Sequence, residues 1–319
     1  MTSDRPLFDR AAIIGPGLIG SSLALAMREA RAAGDLVGYD QDADVAARAR
    51  ALGVVDEIAP DFPAAVAGAD LIVLSTPVGA IASLCAALDA HAPAGAVVID
   101  VGSVKGAVAE AAKDLREDIL FVPCHPVAGT EQSGPEAGFA SLFRDRWCII
   151  TPLARDDAPY KAAVERVGAL WSAVGANVEM MDAGHHDLAL AVTSHLPHLI
   201  AFTLVGAADD IETLNQGEIV KYSAGGFRDF TRIAASDPVM WRDVFLGNRE
   251  AVLEALARFS EELTVLQRAI RWGDGETLYK TFARGRNLRR AIVEAGQETA
   301  APNFGRDKRP AGDPGDRDG

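Results

Sequence analysis

The residue of this sequence best suited to moving a proton is His125. It follows the apolar run at residues 119–124, where a buried strand is predicted to end, and Pro126 restricts the backbone directly after it. A neutral imidazole at the edge of a sheet can accept the proton of an alcohol while a hydride leaves the same carbon. We therefore predict that His125 is a catalytic acid or base. The alternative interpretation is a structural histidine with satisfied hydrogen bonds.

Two further histidines, His195 and His198, lie one helical turn apart in an apolar stretch at residues 188–208. Pro197 between them removes one backbone hydrogen bond, which would free the carbonyl of Thr193 and open the helix toward a ligand. No carboxylate or cysteine accompanies the pair on this stretch. A hydrogen-bonding role toward a substrate is therefore favoured over a metal site, and we predict no bound metal.

Three arginines, Arg228, Arg232 and Arg242, form a locally basic segment in an acidic chain. The chain has 31 Lys and Arg against 45 Asp and Glu, for a formal net charge of −14, so an anionic substrate would need such a local positive site. The planar guanidinium group can hold a carboxylate through two parallel hydrogen bonds. We select Arg232 as the arginine that faces the ligand and expect one or two of the others to be ordinary surface residues.

A glycine-rich turn, GPGLIG at residues 15–20, links the first predicted strand to the first predicted helix. Its G-x-G-x-x-G spacing permits a tight turn, close approach of a pyrophosphate to the backbone, and close packing of helix on strand. The N-terminus of the helix then faces the phosphates. The turn predicts a dinucleotide site whose contacts include Gly15, Gly17, Leu18, Ile19 and Gly20.

Asp40 ends the next predicted strand, about twenty residues after the third glycine, where a carboxylate accepts hydrogen bonds from the ribose hydroxyls. No Arg or Lys follows it before Arg48, so a 2′-phosphate would meet negative charge. The sequence therefore predicts NAD as cofactor in preference to NADP.

Two other loops follow predicted strands and so lie at the same edge of the sheet as the glycine turn. The first contains Ser75, Thr76 and Pro77, for which contact with the cofactor and a plain role as turn or helix cap are both open. The second contains Ser103 and Lys105. We expect Lys105 to be solvated on the first turn of the following helix.

The elements that must position these residues form two regions. From residue 11 to about 150, short β-rich runs alternate with Ala-rich helical segments, which predicts a mostly parallel sheet covered by helices on both faces. After Asp182 the periodicity is helical to about residue 295. The predicted fold class is α/β: an N-terminal Rossmann-type sheet and a C-terminal all-helical domain. The predicted domains are 1–182 for the nucleotide, 183–299 for the substrate, and a disordered tail at 300–319.

Composition excludes several classes of partner. The acidic net charge and the lack of a basic patch argue against nucleic acid and anionic membranes. The stretch 188–208 is long and apolar enough to cross a bilayer, but its central histidines and acidic flanks favour a helix buried at the centre of a domain.

Two features bear on the compartment. The N-terminus lacks the apolar core of a secretory signal, and the three cysteines are too widely spaced to indicate a disulfide framework. We predict a cytoplasmic protein.

The motifs GPGLIG, GYD, GSVKG, HPVAGTEQSG, SHLPH, GGFRDFTRIA and SDPVMWRDVF occur in this order between residues 10 and 270. Together they resemble the prephenate and arogenate (cyclohexadienyl) dehydrogenases of tyrosine biosynthesis. The resemblance implies oxidation of a cyclohexadiene that bears a ring carboxylate and a 4-hydroxyl group, with loss of CO2. It also implies a homodimer formed through the helical domain.

The resemblance further implies roles for single residues. His125 would bind the 4-hydroxyl group, with Ser103 beside it and beside the nicotinamide. Arg232 and His198 would bind carboxylates of the substrate. The remaining implied substrate residues are Glu131, which would restrain that arginine, and Gly225 and Trp241, which would lie near the side-chain pocket.

Two alternatives stay open from the residues themselves. One is another two-domain NAD-dependent dehydrogenase of hydroxy acids or sugar acids, although the absence of lysine between Lys161 and Lys221 counts against the central-helix lysine that such enzymes use. The other is a nucleotide-sensing regulator without catalysis. The sequence does not separate prephenate from arogenate.

Overall fold

The structure is a computed structural model that describes residues 5–130, 132–210, 221 and 223–294. Eight strands in the described residues form one sheet: β1 (Phe8–Ile14), β2 (Ala33–Tyr39), β3 (Glu57–Ile58), β4 (Leu71–Leu74), β5 (Val97–Asp100), β6 (Leu120–Pro126), β7 (Trp147–Ile150) and β8 (Asn177–Met180). Their spatial order is β3-β2-β1-β4-β5-β6-β7-β8. All neighbouring pairs are parallel except β6 and β7. The predicted mostly parallel sheet is confirmed.

The central strands β4, β5 and β6 are buried at every position because both faces of the sheet are covered. In β1, Ala11 and Ile13 belong to one buried cluster, whereas Ala12 and Ile14 belong to another. Successive side chains of a strand point to opposite faces, so the two clusters are the cores above and below the sheet.

The helices of the nucleotide region follow the strands: α1 (Leu18–Ala30), α2 (Ala43–Ala51), α3 (Phe62–Val66), α4 (Ile81–His91), α5 (Gly106–Ala112) and α6 (Ala158–Ala173). Three of them begin at an aspartate whose side chain accepts backbone N–H bonds, namely Asp42 for α2, Asp61 for α3 and Asp157 for α6. The sheet order reverses between β1 and β4. In such sheets a ligand binds outside the carboxyl ends of the strands at this point, which here is formed by the glycine turn and the loop after β4.

Two strands, β3 and β8, could not be predicted from the pattern of apolar residues. β3 has two residues and β8 has four, and neither contains a buried side chain. Short, exposed edge strands carry no apolar run, so only pairing with a neighbour defines them.

The remaining helices are α7 (Ala183–Leu190), α8 (Leu196–Asp209), α9 (Gly225–Thr231), α10 (Pro238–Gly247), α11 (Arg249–Trp272) and α12 (Gly275–Glu294). The chain divides into two compact units, Met1–Arg249 and Glu250–Gly319. In the second unit, Arg284 of α12 pairs with Glu262 of α11 at 3.1 Å. The predicted domain boundary after residue 182 stays a prediction.

The apolar segment around His195 is one long helix, Ala183–Asp209, with a π-helical turn at Ala191–His195. By length and composition it is the one helix in the described part of the chain that could cross a membrane, with a mean hydropathy of 1.7. Only 28% of the most apolar 18 residues of this helix is buried. The expectation of a helix buried at the centre of a domain is therefore wrong for the single chain. The reason is that one side packs on neighbours while side chains such as Val192 stay exposed. π-turns concentrate at functional sites, and this one ends two residues before Pro197.

Some predictions lie outside the described residues. Glu131 is one, and the tail at 300–319 is another. Their predicted roles stay predictions.

Candidate active site

The glycine turn has the backbone geometry that its spacing predicts. Gly15 has a φ of +86°, which disfavours any side chain, and a Cβ there would lie 2.9 Å from the carbonyl oxygen of Ser75. A Cβ on Gly20 would lie 2.6 Å from the carbonyl oxygen of Gly15, so α1 packs directly on the turn. A side chain at Gly15 would collide with the loop after β4, and one at Gly20 would push α1 away from the turn.

The space in front of the turn is open. A Cβ on Gly17 would meet no described atom within 4 Å, in contrast to the other two glycines. Gly17 is also the N-cap of α1 and supplies no side-chain cap, so N–H groups of the first turn, which includes Leu18 and Ile19, remain for an external acceptor. Such a helix N-terminus suits a phosphate group.

The loop after β4 completes this cradle. Ser75 donates its hydroxyl to the carbonyl oxygens of Ile14 at 3.0 Å and Gly15 at 2.8 Å, so its side chain supports the turn. Thr76 Oγ1 is buried without a hydrogen-bond partner among the described residues, and the Cγ2 methyl of the same side chain lies beside Gly15. Buried hydroxyls without a partner are rare, and a nucleotide at the turn would supply one. Pro77 is exposed on the same loop. The cradle therefore fits a dinucleotide.

Asp40 lies at the end of β2, half-buried, and its Oδ1 accepts the backbone N–H of Asp42 at 2.9 Å. Burial raises the pKa of Asp40 above its usual value, and the charge of Asp42 adds to that effect. The nearest basic residue along α2, Arg48, is paired with Glu136. The ribose end of the cradle is therefore acidic.

His125 is the second-last residue of β6 and is 7% exposed. Its Nδ1 lies 2.8 Å from Nε2 of His186, and Nδ1 of His186 lies 2.8 Å from Oδ1 of Asp187. Burial lowers the pKa of His125 well below the usual 6.5, and the neighbouring His186, Lys105 and His195 lower it further. His125 is therefore a neutral base at neutral pH.

Lys105 is fully buried, so the expectation that it is solvated is wrong. Its Nζ pairs with the carboxylate of Asp100 and donates to the carbonyl oxygen of Cys124 at 2.6 Å. Asp100 also accepts the N–H of Gly102 at 2.9 Å. A buried carboxylate at the end of β5 requires a counter-charge, and the lysine supplies it. The pair holds the residue directly before His125.

His195 is completely buried, and its Nδ1 lies 3.1 Å from Nδ2 of Asn248. That amide also donates to the carbonyl oxygen of Asp187 at 2.7 Å. Burial lowers the pKa of His195 to about 4, so the ring is neutral with its proton on Nε2. Nε2 of His195 has no hydrogen-bond partner in the described residues. The backbone of Ser103 acts to raise the pKa of His195, against the larger effect of burial. The observed hydrogen-bonding contact of the His195 ring is therefore the one with Asn248.

His198 stacks on Trp241 with ring centroids 3.7 Å apart. Its Nδ1 donates to the carbonyl oxygen of Ser194 at 2.8 Å, which leaves Nε2 as an acceptor or, once protonated, a donor. Burial lowers the pKa of His198, and the positive charge of Arg232 lowers it further, so the arginine is near this ring. Trp241 Nε1 is buried with no partner within the described residues.

The structure also places Gly225 and the three arginines of the basic segment, of which Arg232 is exposed like the other two. Gly225 is the first residue of α9. Arg242 is exposed and pairs with Asp243 at 2.7 Å, as expected of a surface residue, and Arg228 is also exposed.

The structure thus connects most of the predicted site within the unit Met1–Arg249. His195 contributes to lowering the pKa of His125, and its ring meets Trp241 edge-on at 6.0 Å between centroids. Trp241 in turn stacks on His198, whose pKa is lowered by the charge of Arg232. Ring contacts thus join His195, Trp241 and His198, and the charges of the groups at the two ends act on His125 and His198.

Sequence reasoning missed His186, whose ring contacts His125, and Asp187, whose carboxylate contacts His186. Asp187 is one of the acidic residues that flank the apolar stretch. The sequence does show a histidine next to a carboxylate in α7. Nothing local links this pair to His125, because only folding brings α7 next to β6.

Comparisons with known proteins give a consistent picture. Residues 23–180 match the family model described as "Prephenate dehydrogenase, nucleotide-binding domain". Residues 182–284 match the model described as "Prephenate dehydrogenase, dimerization domain".

Individual proteins are similar over nearly the whole chain. Cyclohexadienyl dehydrogenase of Zymomonas mobilis is 41% identical over 90% of this chain and 97% of its own. Prephenate dehydrogenase of Bacillus subtilis is 33% identical over 93% of this chain and 79% of its own. The crystal structure of prephenate dehydrogenase from A. aeolicus, in complex with hydroxyphenyl propionate and NAD+, superposes with a TM-score of 0.81 at 35% identity and covers 89% of this chain and 98% of that one.

Proposed function

The chain belongs to the prephenate dehydrogenase family, and from this premise we propose that it oxidises and decarboxylates prephenate, arogenate or both, with NAD as hydride acceptor. The products are 4-hydroxyphenylpyruvate from prephenate and tyrosine from arogenate. The proposal includes a place in tyrosine biosynthesis.

The observation that carries the proposal is the neutral, buried imidazole of His125 at the carboxyl end of β6. The carboxyl ends of β1 and β6 lie at the same edge of the sheet, since all strands between them are parallel. The base therefore lies on the edge that also carries the glycine turn. A substrate with a hydroxyl group to deprotonate and a hydride to lose fits this edge.

In the proposed reaction, His125 Nε2 accepts the proton of the 4-hydroxyl group. Bound NAD+ supplies the acceptor for the hydride that leaves the same carbon. After the ring carboxylate has departed as CO2 and the ring has become aromatic, His125 returns the proton to the phenolic oxygen. Arg232 and His198 hold the carboxylates of the substrate, and Ser103 lies beside the reacting carbon. The protein mainly positions the reactants, because aromatisation drives the loss of CO2.

The proposal extends to a homodimer in the cytoplasm. The second compact unit exposes large apolar side chains on both of its helices, for example Ile270 at 69% and Leu288 at 65%. Exposed apolar surface on this scale favours burial against a partner. All three cysteines are buried free thiols, which agrees with a reducing compartment.

The test is oxidation by the purified full chain. We expect NADH and CO2 in equal amounts with prephenate, arogenate or both, and none with a panel of 3-hydroxy acids and sugar acids. NADH from the panel alone would favour the other dehydrogenases. Binding of NAD without turnover of any compound would favour the regulator without catalysis.

We also expect the enzyme to prefer NAD over NADP. The carboxylate of Asp40 would repel a 2′-phosphate, and Arg48 is engaged by Glu136. The Michaelis constant for NADP should exceed that for NAD by about 100-fold, the effect of about 2.7 kcal/mol of lost binding. Steady-state kinetics with each cofactor at saturating substrate measure the ratio, and a lower constant for NADP would contradict the assignment of Asp40.

A further inference from the structure

His186 and Asp187 form a buried relay behind His125, and no role in the reaction above uses them. His186 is completely buried and Asp187 nearly so. The carboxylate of Asp187 is itself anchored, because its two oxygens accept the backbone N–H groups of Lys105 and Gly106, each at 2.8 Å. The relay therefore has a fixed end at the start of α5.

The hydrogen bonds determine which nitrogen carries each proton. A carboxylate only accepts, so the 2.8 Å contact with Asp187 places a proton on Nδ1 of His186. A neutral imidazole has one N–H, so Nε2 of His186 must be an acceptor. The 2.8 Å contact with His125 then places the proton of His125 on Nδ1. What remains on His125 is an unprotonated Nε2.

We propose that His186 and Asp187 are positioning residues that hold His125 in the Nδ1–H tautomer, with the lone pair of Nε2 available to the substrate hydroxyl group. This inference rests on the proposed function of His125 as a base. The proton of the substrate goes to Nε2 of His125, and no proton has to leave the relay. The anchored carboxylate stabilises the positive charge that the two rings then share.

The charge state of Asp187 agrees with this assignment. Burial raises the pKa of its carboxyl group, but the hydrogen bonds from His186, Lys105 and Gly106 outweigh burial, and the pKa is lowered overall. Asp187 therefore stays ionised across the neutral pH range in which His125 is a neutral base.

Two substitutions of one residue separate positioning from packing. An Asn at 186 can still donate to Asp187 from the place of Nδ1 but has no acceptor in reach of His125, whereas a Gln places an oxygen near the position of Nε2. We expect His186→Asn to lower kcat by about 100-fold with KM changed less than about twofold, and His186→Gln to recover at least about tenfold of that loss. His185→Asn, an exposed neighbour on the same helix, is the matched control and should leave kcat unchanged.

A readout that needs no substrate keeps this inference distinct from the proposed function. The chain has six histidines, so nitrogen NMR of protein labelled with 15N-histidine can resolve each ring. We expect the Nδ1–H tautomer for both His125 and His186 at neutral pH, and loss of the single tautomer of His125 in His186→Asn. Nε2–H on either ring of the unaltered protein would overturn the relay. Equal kcat for the Asn and Gln variants, at equal thermal stability, would also overturn it.

Discussion

The His125→Asn enzyme is expected to turn over about 1000-fold more slowly than the unaltered enzyme, with KM for the substrate changed little. A positioned general base contributes about 100- to 10,000-fold, and the amide has no basic lone pair at the place of Nε2. Its nitrogen can still occupy the position of Nδ1 and donate to His186, so the relay and the fold should persist. The measurement is kcat and KM with the substrate that gives NADH, together with the dissociation constant for NAD, which should not change.

The pH dependence of the unaltered enzyme provides the control for this assignment. The active form of His125 is neutral, and burial, together with the neighbouring His186, Lys105 and His195, lowers its pKa well below 6.5. Activity should therefore persist as the pH falls through 6.5 and should decline only when the pH passes the lowered pKa. An acid limb of kcat/KM centred at or above pH 6.5, or an unchanged profile in His125→Asn, would remove His125 from the reaction.

The Arg232→Ala enzyme is expected to show a rise of about 100-fold in KM and a small change in kcat. The positive charge of Arg232 acts on the ring of His198 and lowers its pKa. A charge-assisted hydrogen bond to a carboxylate contributes about 1.5–3 kcal/mol. Loss of binding that is equal in the ground state and the transition state appears in KM. Initial rates over a wide range of substrate concentration measure the effect.

Arg228→Ala is the matched control for that variant, since Arg228 is exposed on α9 and belongs to the same basic segment. It should bind substrate as the unaltered enzyme does. If Arg228→Ala and Arg232→Ala raise KM equally, the segment acts only through its total charge. If Arg232→Ala leaves KM unchanged, the carboxylate site lies elsewhere.

The cofactor cradle could be predicted from local sequence because each of its requirements is local. Gly15 needs a positive φ and Gly20 needs contact between helix and strand, and both needs arise within a few residues of chain. The side chain of Ser75 was ambiguous for the opposite reason. Its hydroxyl reaches carbonyl oxygens of β1 and of the glycine turn, which are 60 residues or more away in sequence.

Lys105 shows where a local rule fails. A lysine on the first turn of a helix is normally solvated, but the carboxylate that pairs with this one lies at the end of β5, beside β6. Burial of both groups is a property of the assembled sheet. The local sequence pattern carries no information about this burial, because Lys105 or Asp100 alone would stay in water.

The sequence by itself determined the parallel sheet, the dinucleotide turn, the acid that ends β2 and the histidine at the end of β6, since periodicity, glycine spacing and strand ends are encoded in consecutive residues. Only the tertiary structure decided which groups surround that histidine. His186, itself held by Asp187, reaches His125 from α7, about sixty residues later in the chain, and the tautomer of the base follows from that contact. Hydrogen-bond direction depends on which donors and acceptors meet in space, and the folded chain alone brings them together.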